Sequence, residues 1–159
     1  MSKSGKKKVL IVDDAAFIRK RIKKVVEKIE YADVIGEAAN GGDAINLYKE
    51  LKPDLVTMDL IMPDVDGVKA IEEIMKFDKN AKIVVVSALG QELTITDALG
   101  KGAKEYIKKP FKEEDIYRTL ERFLKPWIGN NFISLFAKDK ILMFLELRAL
   151  NIYHNNYVQ

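Results

Sequence analysis

Between residue 8 and about residue 125, short apolar runs alternate with segments whose apolar residues recur at helical spacing, and this alternation dominates what the chain can become. The runs Leu10, Ile11, Val12 and Ile83, Val84, Val85, Val86 carry no polar alternation, so both faces of those strands must be covered. A sheet enclosed by helices meets that demand, and strand–helix repetition makes the sheet parallel. The spacing predicts strands at residues 8–12, 33–37, 54–58, 82–86 and 104–107, in an α/β doubly wound fold with helices on both faces. Ile18, Ile22, Val25, Val26 and Ile29 form one helical stripe. Arg19, Lys20, Arg21, Lys23 and Lys24 take the other face, which reads as solvated surface or else as a docking surface. In the last unit Ile116, Leu120, Phe123 and Leu124 repeat the stripe, and Pro126 stops the helix.

Composition narrows the chemistry. A net charge of +3 gives little electrostatic reason to bind nucleic acid. The absence of cysteine removes disulfide scaffolds, thiolate metal sites and thiol nucleophiles, and the single histidine, His154, removes imidazole catalysis from the main body. The apolar run before Asp13 is too short for a signal-peptide core, and no run approaches the roughly 20 residues that span a bilayer, so the expected location is cytoplasmic. Asp13-Asp14-Ala15-Ala16 follows the first strand where a nucleotide-binding fold would carry glycines, which disfavours nucleotide binding.

If the five units are right, Asp13 and Asp14 at the end of the first strand meet Asp59 at the end of the third, at the carboxyl edge where such sheets bind ligands. Asp13 or Asp14 as a plain helix N-cap is the structural alternative. The strings Val12-Asp13-Asp14, Met58-Asp59-Leu60-Ile61-Met62-Pro63-Asp64, Val86-Ser87-Ala88 and Tyr106-Ile107-Lys108-Lys109-Pro110-Phe111 resemble the receiver domain of two-component response regulators, of the stand-alone chemotaxis type. The resemblance covers residues 8 to about 125 and implies the flavodoxin-like strand order 2-1-3-4-5.

It also implies a division of labour. Three carboxylates at about 4 Å repel by roughly 4 kcal/mol per pair at an effective dielectric of 20 and so favour a hard divalent cation. Oxygen-only ligands beside a phosphoryl group point to Mg²⁺. By resemblance, Asp14, Asp59 and the backbone carbonyl of Ile61 bind the metal directly and Asp13 acts through a water. Asp59 takes a phosphoryl group from a phosphohistidine, Lys109 and the Ser87 hydroxyl meet its oxygens, and Tyr106 turns inward to change the surface of the fourth helix, fifth strand and fifth helix. Inverting a resting ratio of 99 to 1 needs about 5.5 kcal/mol. Two charge-assisted hydrogen bonds at roughly 1.5 to 3 kcal/mol each supply about that.

The resemblance therefore implies no enzyme in the ordinary sense but a switch that catalyses only its own phosphorylation and dephosphorylation. Its implied partners are a chemotaxis histidine kinase, a flagellar motor switch protein and a phosphatase. A phosphorelay intermediate, a phosphate sink or a phosphorylation-independent scaffold would share these features. Ile61 and Leu89, two residues past Asp59 and Ser87, are apolar and are expected not to orient a hydrolytic water.

Residues 126–159 depart from the pattern, so the reading is a receiver over residues 1–125 and an apolar helical extension beyond it. From Phe132 to Tyr153, 15 of 22 residues are apolar, too many for a free tail. The alternatives are packing on the receiver itself, self-association or kinase docking through Phe132, Phe136, Leu142, Phe144, Leu145 and Leu147, or an interfacial membrane helix. Too few basic residues lie there for DNA binding.

Overall fold

The computed structural model describes residues 5–88 and 92–125. Leu89 and the expected extension over residues 126–159 lie outside the described residues. The elements run β1 (Lys7–Val12), α1 (Ala16–Val26), β2 (Ala32–Ala38), α2 (Gly41–Leu51), β3 (Leu55–Met58), α3 (Gly67–Phe77), β4 (Ile83–Ala88), α4 (Glu92–Gly100), β5 (Glu105–Lys109) and α5 (Glu113–Leu124). The sheet has the order β2-β1-β3-β4-β5 with every pair parallel, as the alternation and the resemblance implied.

Alternate residues of each central strand feed two separate cores. Val9, Ile11, Val84 and Val86 face one way, onto Ile22, Val25 and Val26 of α1 and Ile116, Leu120 and Leu124 of α5. Leu10, Val12, Val56, Met58, Ile83 and Val85 face the other, onto Tyr48 of α2 and Ala70, Ile71 and Ile74 of α3. That is why the strand sequences show no alternation. α4 is held differently: among its described side chains only Ala98 is buried, with Ile95 half-buried against the same core.

Several boundaries shift from the expected ones. β4 extends to Ala88 and β5 to Lys109, because Ser87 pairs with Lys108 and Ala88 with Lys109 in register. Polar side chains at those ends hid the pairing from an apolar-run criterion. Asp54 and Lys104 fall outside their strands; the Asp54 carboxylate instead accepts the Lys8 amide at 2.7 Å. α1 ends at Val26, and the stripe reaches buried Ile29 through a tighter turn in which the Ile29 amide donates to the Val26 carbonyl.

Asn40 and Asp66 cap α2 and α3, each side chain accepting a backbone amide three residues on, at 2.8 Å. On α3, Glu72 gathers Lys76 at 2.9 Å, Lys101 at 3.1 Å and Lys69 at 3.6 Å. The hydrogen bonds from Lys76 and Lys101 hold its carboxyl down to about 2, from an ordinary 4.5. A carboxyl lowered in the folded state adds stability that is complete above 4.5 and disappears as pH falls toward 2. The stability difference between wild type and Glu72→Gln is accordingly expected to be constant at neutral pH and to close at strongly acidic pH. Thermal denaturation across that range checks it, and a gap independent of pH would assign the effect to packing.

Candidate functional site

The carboxyl ends of β1 and β3 are neighbours in the sheet, and the residues just past them are acidic. The Asp59 amide donates to the Val12 carbonyl at 2.9 Å and the Asp13 amide to the Ala38 carbonyl at 3.0 Å, so the sheet ladder itself fixes both backbones. Asp13 is 0% and Asp59 6% exposed, whereas Asp14 is open to solvent. One carboxylate oxygen from each of the three can be chosen so that all lie within 4.8 Å of one another. Asp13 and Asp14 do not cap α1: its N-cap is Ala15, whose amide donates to Asp13 Oδ1 at 2.9 Å.

β5 brings the counter-charge. Lys109 Nζ donates to Asp13 Oδ2 at 2.5 Å and to Asp59 Oδ2 at 3.0 Å, and the following peptide bond to Pro110 is cis. Burial pushes the Asp13 carboxyl above its ordinary value, outweighing the hydrogen bond and charge of Lys109. For Lys109, burial acts to lower the ammonium, but Asp13 and Asp59 together overcome it and raise its pKa. β4 supplies Ser87, buried, whose Oγ donates to Asp59 Oδ1 at 3.1 Å. Next to it the Tyr106 hydroxyl donates to the Ser87 carbonyl at 3.3 Å. The sequence-selected residues Asp13, Asp14, Asp59, Ser87, Lys109 and Tyr106 are thus one connected group. Ile61, two residues past Asp59 in the chain, is 60% exposed.

Chemically, three acids against one bonded ammonium leave excess negative charge on hard oxygen donors beside an exposed aspartate. That donor set fits a divalent cation of the Mg²⁺ type and offers no soft ligand.

Three residues of consequence escaped the sequence reading. Gly67 begins α3 directly against the backbone of Asp59: a Cβ there would lie 1.9 Å from the Asp59 carbonyl oxygen. The only sequence signal is a glycine after Asp66, the usual cap position of a helix. Arg19 and Arg21 belong to the basic run expected to form a solvated face or a docking surface, but both turn inward. Arg19 donates to the carbonyls of Asp13 and Asp14, and Arg21 to the carbonyl of Phe111 while its guanidinium stands 4.6 Å over that ring. Lys20, Lys23 and Lys24 remain exposed as expected.

Comparison with known proteins gives a consistent picture. Residues 9–121 match the response regulator receiver domain family. The chemotaxis protein CheY of Thermotoga maritima is 51% identical over 119 residues, 75% of this chain and 98% of that protein. A crystal structure of a CheX–CheY–BeF3–Mg complex from Borrelia burgdorferi superposes with a TM-score of 0.69 at 38% identity, covering 73% of this chain and 87% of that one. A protein-glutamate methylesterase/protein-glutamine glutaminase of Photobacterium profundum is 43% identical over 144 residues, 89% of this chain but 35% of that protein.

Proposed function

The chain belongs to the response regulator receiver family, with relatives of the chemotaxis type, and on that premise we propose that it is a phosphorylation-driven signalling switch whose acceptor is Asp59. The observation that carries the reading is the contact of both Lys109 and Ser87 with the two oxygens of one buried carboxylate. Asp14, Asp59 and the Ile61 carbonyl would hold Mg²⁺ directly and Asp13 through a water. When bound, the ion screens the negative charge of acceptor and donor.

The protein's own groups account for the rest. A carboxylate oxygen of Asp59 forms a bond to phosphorus as the phosphorus–nitrogen bond of a phosphohistidine breaks, its electron pair passing to the leaving imidazole. Lys109 leaves its bond with Asp59 for a phosphoryl oxygen, and the Ser87 hydroxyl for another. Movement of Ser87 disturbs its carbonyl, on which the Tyr106 hydroxyl rests, and so reaches β5. On this reading the protein works in the cytoplasm as a phosphoacceptor rather than an enzyme acting on other molecules. A chemotaxis histidine kinase is the donor, a flagellar motor switch protein the target and a phosphatase the terminator.

Labelling from a phosphorylated kinase or a small phosphodonor, read by intact mass, tests the proposal. Wild type is expected to gain one phosphoryl group in the presence of Mg²⁺, and Asp59→Asn none. Equal labelling of both would move the acceptor elsewhere, and no labelling of wild type by either donor would end the reading in favour of a scaffold.

A further inference from the structure

We propose that Arg19 is a positioning residue of the acidic centre, fixing the backbone that carries Asp13 and Asp14. The inference rests on the metal-site reading above and concerns a residue one helical turn away from the acids. One guanidinium nitrogen, Nη1, donates to the Asp13 carbonyl at 2.8 Å and to the Asp14 carbonyl at 3.3 Å. Its Nε donates to Glu37 Oε2, at the end of β2, at 3.1 Å. The side chain is largely buried, and Glu37 is approached from its other oxygen by Lys23 at 3.6 Å.

The arrangement joins three elements: α1 carries the arginine, β2 holds its Nε, and the β1–α1 connection is tied by its carbonyls. Asp13 and Asp14 occupy that connection, where backbone bonds are otherwise few. The Asp13 amide is held by the Ala38 carbonyl, and the Ala15 amide by the Asp13 carboxylate. The orientation of the Asp14 side chain, exposed and free of the sheet, depends on the peptide units either side of it. A planar fork satisfies a carboxylate and two carbonyls at once; the single ammonium of lysine is a point charge and cannot reproduce that geometry. Groups that orient metal ligands from behind typically change metal affinity by about 10- to 100-fold when removed.

The charge on Arg19 gives the proposal an unambiguous sign. If the guanidinium acted only through its charge, removing it from beside three acids would strengthen cation binding. A positioning role requires the opposite. The test is Mg²⁺ titration by calorimetry on the full chain as wild type, Arg19→Lys, Arg19→Met and Lys20→Met, the last an exposed residue of the same helix. Amide hydrogen exchange at Ala15 is followed in parallel without metal.

Both Arg19 variants are expected to bind Mg²⁺ about 10-fold more weakly and to exchange the Ala15 amide faster. Lys20→Met is expected to match wild type. Tighter Mg²⁺ binding by Arg19→Met, or unchanged affinity and exchange in Arg19→Lys, would overturn the proposal while leaving the metal site intact. Failure of wild type to bind Mg²⁺ would overturn the metal reading itself, and this inference with it.

Discussion

Replacing Gly67 with alanine is expected to lower stability by about 3 kcal/mol, at the upper end of what overpacking costs, and to abolish phosphoryl uptake in the same step. The new Cβ would stand 1.9 Å from the Asp59 carbonyl oxygen and 2.7 Å from the Leu60 Cα. Neither obstacle is a side-chain tip that can rotate away. Relief requires α3 to withdraw, which breaks the bond from the Gly67 amide to the Leu60 carbonyl, or the Asp59 backbone to move. Either movement drags Asp59 away from Lys109 and Ser87. A fall in melting temperature on the order of 10 °C corresponds to such a loss for a domain of this size. A variant that melts with wild type and accepts phosphate at the wild-type rate would show that the contact is soft.

Lys109→Met is the second large effect and has a distinctive pH signature. Removing one partner from a buried ion pair costs roughly 3 to 5 kcal/mol, and here the ammonium is shared by two acids whose side chains are almost fully enclosed. Burial already raises the Asp13 carboxyl, so the folded state holds that proton more tightly than the unfolded chain. Stability from such a group is complete below the ordinary value of 3.8 and is lost as pH rises through the folded value. Without Lys109 the folded value climbs further, and the deficit against wild type is expected to widen from acid toward neutral pH. Denaturant unfolding at several pH values measures it. Added Mg²⁺ is expected to restore part of the loss, and a pH-independent deficit would mean that the lysine stem, rather than its charge, was the stabilising part.

Much of this is legible in the amino-acid sequence. Uninterrupted apolar strands demand two covered faces and strand–helix repetition makes the sheet parallel, while the strand order that sets Asp13 and Asp14 beside Asp59 is what the family resemblance implies. Lys109 and Ser87 were legible only through the family resemblance, since a lysine at a strand end and a serine beside valines are ordinary taken singly. Arg19 was hidden by its neighbours. Within the run Arg19, Lys20, Arg21, Lys23 and Lys24, helical geometry sends two residues inward and three outward, but the run is basic throughout and periodicity of charge cannot separate them. Gly67 was hidden for another reason: its role is the absence of an atom, visible only when the Asp59 backbone lies against it.

Among the described side chains of α4 only Ala98 is buried, and this bears on how much work the proposed switch has to do. One buried alanine methyl is worth roughly 1 kcal/mol, whereas each of the two buried isoleucines of α3 contributes about 1.5 to 3. Local opening of α4 is expected to cost less than unfolding the domain, and its amides to exchange ahead of those of β1 and β3, which wait for global unfolding. On the proposed switching reading, a change at the Ser87 hydroxyl would act on the strand that α4 follows in the chain. On that reading the sheet needs no transmission line, because the helix next in the chain after Ser87 buries only an alanine among its described side chains.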